Sequence, residues 1–358
     1  MPCSYPVRNR LLPSANVVTS ILNVLREVDV RPLRTAAEAT FVLAFFSRDV
    51  PMARHLADLL ELGLRQHDTP PTRVCGAFSL SAHSASERFP HINIAIIVTR
   101  QREEPAAEQQ LMRDLTQNSI PILVCFLGES TDPAPAREEW MPAAVVMLTL
   151  RDGLLDDAEA TRQLVNAIRN MRVVDELALA RHLPAFRESV SRSMIEDTAM
   201  ANAVYSVGTG LLEINPLADL PLNAADIIVL TKNQAIMSYK MALAMGMNAE
   251  FKQVMPQMAT VVGSGFLLRQ MARGLVGLVP GLGIIPKVAV AFAGTYATGE
   301  VIYRWCAYGE RVTGVAMRQL YDAAFSRGRS LAQSLVSKAK QTGESARQRA
   351  MSLRRKKP

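Results

Sequence analysis

The sequence is poor in the residues that most often carry chemistry. Its 358 residues hold four cysteines, Cys3, Cys75, Cys125 and Cys306, with no short paired spacing between them. That spacing excludes a four-cysteine zinc site and a disulfide framework. Cys75 and Cys125 fall in apolar runs and read as buried free thiols. The five histidines, His55, His67, His83, His91 and His182, form no HExxH motif and lie beside no acid at ligand spacing. Aromatic residues make up only 6%, so a core must be built from Ala, Leu, Val, Ile and Met. The first 30 residues show no uninterrupted apolar block of the kind a secretory signal needs, because Arg8, Arg10, Arg26 and Glu27 break it. The thiols and this lead-in predict a chain that faces a reducing compartment. With 20 prolines and 19 glycines, collagen-like architecture is excluded.

Charge is present but unevenly placed. The formal net charge is +7. From Arg327 onward there are ten basic residues and one acid, Glu344, whereas the remainder holds 30 basic and 32 acidic residues. Basic character therefore belongs to the tail. An anionic membrane surface is the partner expected for it, since each Lys or Arg contributes about 1 kcal/mol near such a surface. Beyond Phe325 the tail has no aromatic residues on which bases could stack, which disfavours nucleic acid.

Periodicity divides the chain into four parts. Residues 1–35 are a lead-in, with an amphipathic helix expected over Val17–Val28. Residues 36–172 alternate strands and helices. The expected strands are Thr40–Phe46, Val74–Leu80, Ile94–Val98, Ile120–Leu127 and Ala143–Leu150. The expected helices are Met52–Leu62, Pro105–Gln117 and Asp156–Asn170. Apolar strands separated by helices of this length predict an α/β fold, a parallel sheet covered on both faces. Residues 173–325 read as an all-α region with apolar, Gly- and Ala-rich helices, and residues 326–358 as the basic tail.

The layout of residues 36–172 is that of a small P-loop GTPase domain, but its nucleotide chemistry is missing. A phosphate-binding loop needs GxxxxGK[ST]. The strand–helix junction here runs Ser47-Arg48-Asp49-Val50-Pro51-Met52-Ala53-Arg54, without glycine or lysine. Pro51 removes an N–H donor and Asp49 repels phosphate. No DxxG element follows, and Gly128-Glu129-Ser130-Thr131-Asp132 stands where an NKxD element belongs. Thr149–Gly153 lies where such domains place their last base-contacting loop. The reading is a degenerate G domain, a pseudo-GTPase that keeps a P-loop-like scaffold. The Ser79–Ser86 stretch is a polar loop without a GxSxG turn, and Glu129–Glu139 a Pro- and acid-rich loop. No catalytic, cofactor-binding or metal-binding residue is expected, and no cofactor.

The helical region is the more unusual part. Ala178–Tyr205 predicts a long helix with a break or fresh start at Pro184, and Thr231–Met247 an amphipathic one. Gln253–Leu268, Gly274–Pro286 and Val288–Gly299 carry no charge. Residues 274–299 contain Lys287 as their one charge and are interrupted by Pro280, Gly281, Gly283 and Pro286. Each arm would reach only about 18–20 Å, against a hydrocarbon core of about 30 Å. The expectation is a re-entrant hairpin with both ends on the cytoplasmic side, or else a hairpin buried in a helical bundle. Tyr296, Tyr303, Trp305 and Tyr308 fit an interfacial belt or a bundle seam, and Glu300 and Arg304 are spaced to pair.

Three stretches resemble a known family: Pro221–Asp226 running into Leu230-Thr231-Lys232-Asn233-Gln234, Gly277–Gly283, and Gly294–Gly299. On these, residues 173–325 resemble the DUF697 family of bacterial proteins, a helical domain of uncharacterized activity. The resemblance implies membrane association and a preceding GTPase-type domain of the Era and YfjP-like group, and it implies no catalytic residues. The function expected is a non-catalytic, membrane-associated scaffold or regulatory protein on the cytoplasmic face. The alternative is a cytoplasmic, soluble protein-interaction module whose apolar helices are buried in a bundle or in a homo-oligomer.

Overall fold

A computed structural model of the full chain describes residues 28–64, 74–80, 91–100, 106–129, 141, 144–152, 157–212, 222–247, 250 and 284–355. The helices expected at Val17–Val28 and Gln253–Leu268, the Ser81–Ser86 and Ser130–Glu139 loops, and the Gly277–Gly283 turn lie outside these residues, apart from Val28 itself.

The described residues form two compact units. One holds the described residues within Val30–Ser191 and Ala242–Asn248, the other those within Met1–Asp29, Arg192–Met241 and Ala249–Pro358.

The first unit opens with helix α1 (Arg31–Glu38), then β1 (Leu43–Ser47), α2 (Val50–Glu61), β2 (Cys75–Ser79), β3 (Ile94–Arg100), α3 (Ala106–Gln117), β4 (Ile122–Glu129), β5 (Val146–Asp152), α4 (Asp157–Met171) and α5 (Glu176–His182). The five strands form one sheet in the order β2-β1-β3-β4-β5, and every pairing is parallel. Leu43 pairs with Cys75 on one side and Ile94 on the other, and Leu123 with Val146. Side chains alternate across such strands. Ala44, Phe46, Ala95, Ile97, Val124 and Phe126 bury one face together with Met112 and Leu115 of α3. Leu43, Phe45, Ile94, Ile96, Leu123 and Cys125 are buried in the opposite register. Helix α2 packs on β1 and β2, and α4 on β5.

Local chemistry fixes the element ends. Asp49 caps α2, its Oδ1 accepting from the Met52 N–H at 3.1 Å, with Pro51 in the first turn where no N–H is needed. Beyond α2, Gly63 takes φ +139, and a Cβ there would lie 2.9 Å from the Pro184 carbonyl. The long helix expected over Ala178–Tyr205 is broken at Leu183–Ala185, next to Pro184, and restarts as α6 (Phe186–Leu212).

The second unit is helical. It contains most of α6, most of α7 (Leu222–Ala244), then α8 (Ile284–Tyr308) and α9 (Gly314–Arg355). Helix α8 is buried on nearly every side, from Ile284 and Lys287 through Phe292 and Thr295 to Cys306 and Ala307. A helix that is apolar all round belongs at the centre of a bundle. Helix α9 lies along it: Ala332 and Val336 meet Ile284, Val288 and Phe292, with Ala199, Ala203 and Val207 of α6 completing the cluster. Gly328 makes the approach close, since a Cβ there would sit 3.0 Å from the Ala289 carbonyl oxygen.

These contacts correct the membrane hairpin. Among the described residues, no helix is long and apolar enough to cross a membrane. The second arm of the expected hairpin is part of a 25-residue helix that starts at Ile284 and runs on to Tyr308. Its apolar surface is covered by α6 and α9, and Lys287 is 5% exposed. The transmembrane or re-entrant helix, the membrane scaffold and the membrane localisation are therefore withdrawn. Of the aromatic residues, Tyr296 and Tyr303 lie in the bundle, Tyr296 stacked on Phe292 at 5.9 Å and Tyr303 buried, whereas Tyr308 is 52% exposed. The basic tail begins inside α9, where Arg327 pairs with Glu196 at 2.9 and 2.6 Å and lies over the Phe292 and Tyr296 rings.

Candidate functional site

In a parallel sheet with this strand order, the crevice outside the carboxyl ends of β1 and β3 is where the chain leaves in opposite directions and where ligands bind. Three elements meet there. Ser47 ends β1, Arg48 follows it, Thr99 stands near the end of β3, and Glu108 sits in the first turn of α3. Arg48 Nε donates to Glu108 Oε1 at 3.2 Å and its NH2 group to Oε2 at 3.1 Å. The Thr99 hydroxyl donates to Oε1 at 3.3 Å. Glu108 is 3% exposed, whereas the Arg48 side chain is 42% exposed. Its place at the start of α3 puts the carboxylate at the positive end of that helix. Ser47 Oγ accepts from the Asp49 N–H at 3.1 Å, and Asp49 in turn caps α2. The hydrogen-bonding groups that a bound anion would use at this position thus meet an internal carboxylate.

Sequence reasoning placed the right junction, Ser47–Arg54, but missed Glu108. It lies 60 residues from Arg48, in a segment that reads only as a polar helix. The Thr149–Gly153 loop is corrected as well: Thr149–Asp152 belongs to β5, paired with Phe126–Glu129 of β4. Gly128 and Glu129, placed in a base-reading loop, are likewise strand residues.

The other candidates disperse. Among the described residues no group of three or more His, Cys, Asp or Glu side chains could hold a metal. His55 Nε2 lies 3.0 Å from Asp157 Oδ1, an exposed pair that no local motif could announce. His182 is buried, edge-on to Phe41 with ring centroids 5.7 Å apart. Burial pulls its pKa down, the neighbouring Arg181 charge adds to this, and the Ala39 backbone opposes it. Burial pushes the Cys125 and Cys306 thiols up to about 12, and that of Cys75 up as well with help from Glu61 and Asp58, so all three are inert at neutral pH.

The helical unit holds a buried polar ladder and an open cleft. Asn202 Nδ2 donates to Thr295 Oγ1 at 2.8 Å, Gln234 Nε2 to the same oxygen at 3.1 Å, and Asn233 Nδ2 to Asn202 Oδ1 at 2.7 Å. Glu300, expected to pair with Arg304, instead accepts from Arg192, whose guanidinium lies 4.6 Å from the Tyr303 ring centre. Between α6 and α7 a cleft of about 290 Å³ is lined by Met194, Asp197, Ala201, Asn233, Met237 and Lys240, among others.

No family model, no curated protein and no solved structure matches the chain. With no GTPase model matching, and with Glu108 seated at the β1–β3 crevice, the pseudo-GTPase and P-loop-like reading is withdrawn. What stands is a five-stranded parallel sheet followed by a mostly helical region. Of the stretches that carried the DUF697 likeness, Gly294–Gly299 falls in the middle of α8 and Leu230–Gln234 in α7.

Proposed function

We propose that this chain is a non-catalytic protein-interaction module whose apolar helices are buried in a bundle. The observation that carries this reading is the Arg48–Glu108–Thr99 cluster. It occupies the one place where a sheet of this order ordinarily takes its small-molecule ligand. A buried carboxylate there repels phosphate and disfavours nucleotide cofactors. The apolar surface of α8 is likewise spent inside the bundle, on α6 and α9. What the described surface offers instead is a shallow, half-apolar cleft, a shape that suits side chains of another protein.

Two measurements on the full chain test this. Thermal melts with flavin mononucleotide and with nucleoside mono-, di- and triphosphates plus Mg²⁺ should leave Tm unchanged. Photo-crosslinking from Val204, which is 51% exposed on α6, should give discrete protein adducts in cells. A melting shift that grows with nucleotide concentration, or no adduct from any exposed α6 position, would overturn the reading.

A further inference from the structure

Two opposite charges line the α6–α7 cleft without meeting. Asp197 on α6 and Lys240 on α7 both face it, and among the described residues neither has an ion-pair or hydrogen-bond partner, each other included. Met194 and Ile236, both part-exposed, line it with them, whereas Met237 is 1% exposed and its Cε lies near Gly299 of α8. Along α6 the exposed residues Asp197, Ala201, Val204 and Gly208 fall at intervals of four, three and four, which is one helix face. Gly208 has nothing within 4 Å of a Cβ position. Small residues on an open helix face allow another helix backbone to come close.

We infer that this cleft is an isologous interface with a second copy of the chain. The inference rests on the interaction-module reading and names its partner. An isologous contact must be self-complementary, because each surface meets its own image. A patch with an acid on one helix, a base on the neighbouring helix and an apolar strip between them meets that requirement. With the two-fold axis running along the cleft, α6 of one copy lies over α7 of the other. Asp197 of each copy then faces Lys240 of its mate, twice over, and the apolar strips formed by Met194 and Ile236 close against each other. Met194 suits such a contact because its unbranched side chain adapts to the facing surface. A partner of one charge sign would leave either Asp197 or Lys240 opposite a like charge; a second copy satisfies both.

Sedimentation equilibrium of the full chain tests the inference with four proteins. The wild type should be a reversible dimer. Asp197→Lys and Lys240→Asp should each weaken self-association by at least about tenfold, because each sets like charges face to face. An equimolar mixture of the two variants should associate again, since every contact is then between opposite charges. The double variant D197K/K240D should recover the homodimer. Misfolding cannot imitate this pattern, because two unfolded variants do not restore each other on mixing; far-UV circular dichroism checks each protein. A wild type that is monomeric at concentrations of about 100 µM, variants that dimerise as well as the wild type, or a mixture that stays monomeric would each overturn it. Any of those results leaves the interaction-module reading standing with a different protein as partner, because the crosslinks from Val204 report on that reading separately.

Discussion

Gly294 and Gly299 share one helix and ask opposite things of a methyl group. Around a Cβ at Gly294 there is nothing within 4 Å, whereas at Gly299 it would meet Ile195 Cγ1 at 2.7 Å and Met237 Cε at 3.2 Å. Gly294→Ala should therefore stabilise the helical unit by about 0.5–1 kcal/mol, the ordinary gain from alanine inside a helix. Gly299→Ala forgoes that gain to overpacking and should destabilise by about 1–3 kcal/mol. Urea midpoints of the two variants check both signs. His182 makes a prediction in pH. Its folded pKa lies below the ordinary value near 6.5, so the unfolded chain takes up a proton first as pH falls. Above the unfolded value both states are neutral and its contribution is complete. Below that value stability is lost progressively until the folded pKa is passed. The wild type should lose stability from pH 7 to pH 5, and His182→Leu should lose less over the same window. Denaturant melts at fixed pH intervals measure the difference.

At the scale of elements, the apolar strands were legible because a parallel sheet buried on both faces leaves continuous apolar runs. The run Ile94–Val98 is β3 almost as read, with Thr99 and Arg100 added by pairing to Phe126 and Leu127. Helix α2, read over Met52–Leu62 with Gly63 as its stop, runs over Val50–Glu61 with Pro51 in its first turn. The Glu108 carboxylate was not legible, since nothing local distinguishes it from the solvated acids around it. What makes it matter is its contact with Arg48, 60 residues earlier in the chain. Arg48→Ala should leave that carboxylate buried without its counter-ion and destabilise by about 2 kcal/mol, less than a fully buried pair because Arg48 is part-solvated. Arg48→Ala with Glu108→Gln should recover part of the loss, which a double-mutant cycle reads directly. Helix α8 was misplaced for a related reason. An apolar, Gly- and Ala-rich segment reads the same whether lipid or protein covers it, and only the cluster with Ala199, Ala332 and Val336 shows protein. Phe292, fully buried in that cluster, should cost about 3–5 kcal/mol on truncation to alanine. Chemical denaturation of Phe292→Ala in the absence of detergent or lipid gives the number.

For the molecule as a whole, the part of the chain that completes the sheet's unit was hidden from any left-to-right reading. Composition suggests a boundary near residue 172, yet Ala242–Asn248 belongs with Val30–Ser191. Arg181, 3% exposed, ties the two stretches together: its guanidinium donates to the Leu243 carbonyl at 3.1 Å and the Met247 carbonyl at 3.2 Å. Leu243 lies in the last turn of α7, where its carbonyl also accepts from the Gly246 N–H at 3.0 Å, and Met247 lies just beyond the helix end. Seen on the ribosome, this contact becomes a matter of time. At synthesis rates of about 5–20 residues per second, Leu243 and Met247 follow Arg181 by roughly 3–13 seconds. Through that interval the sheet exists without its last pieces, and the Arg181 charge has no such acceptors to sit against. A chain released at Ser191 should therefore be cut by protease far faster than one released after Asn248, although both contain all five strands. Pulse proteolysis of the two chain lengths should separate them, and equal resistance would mean that Arg181 finds its acceptors elsewhere.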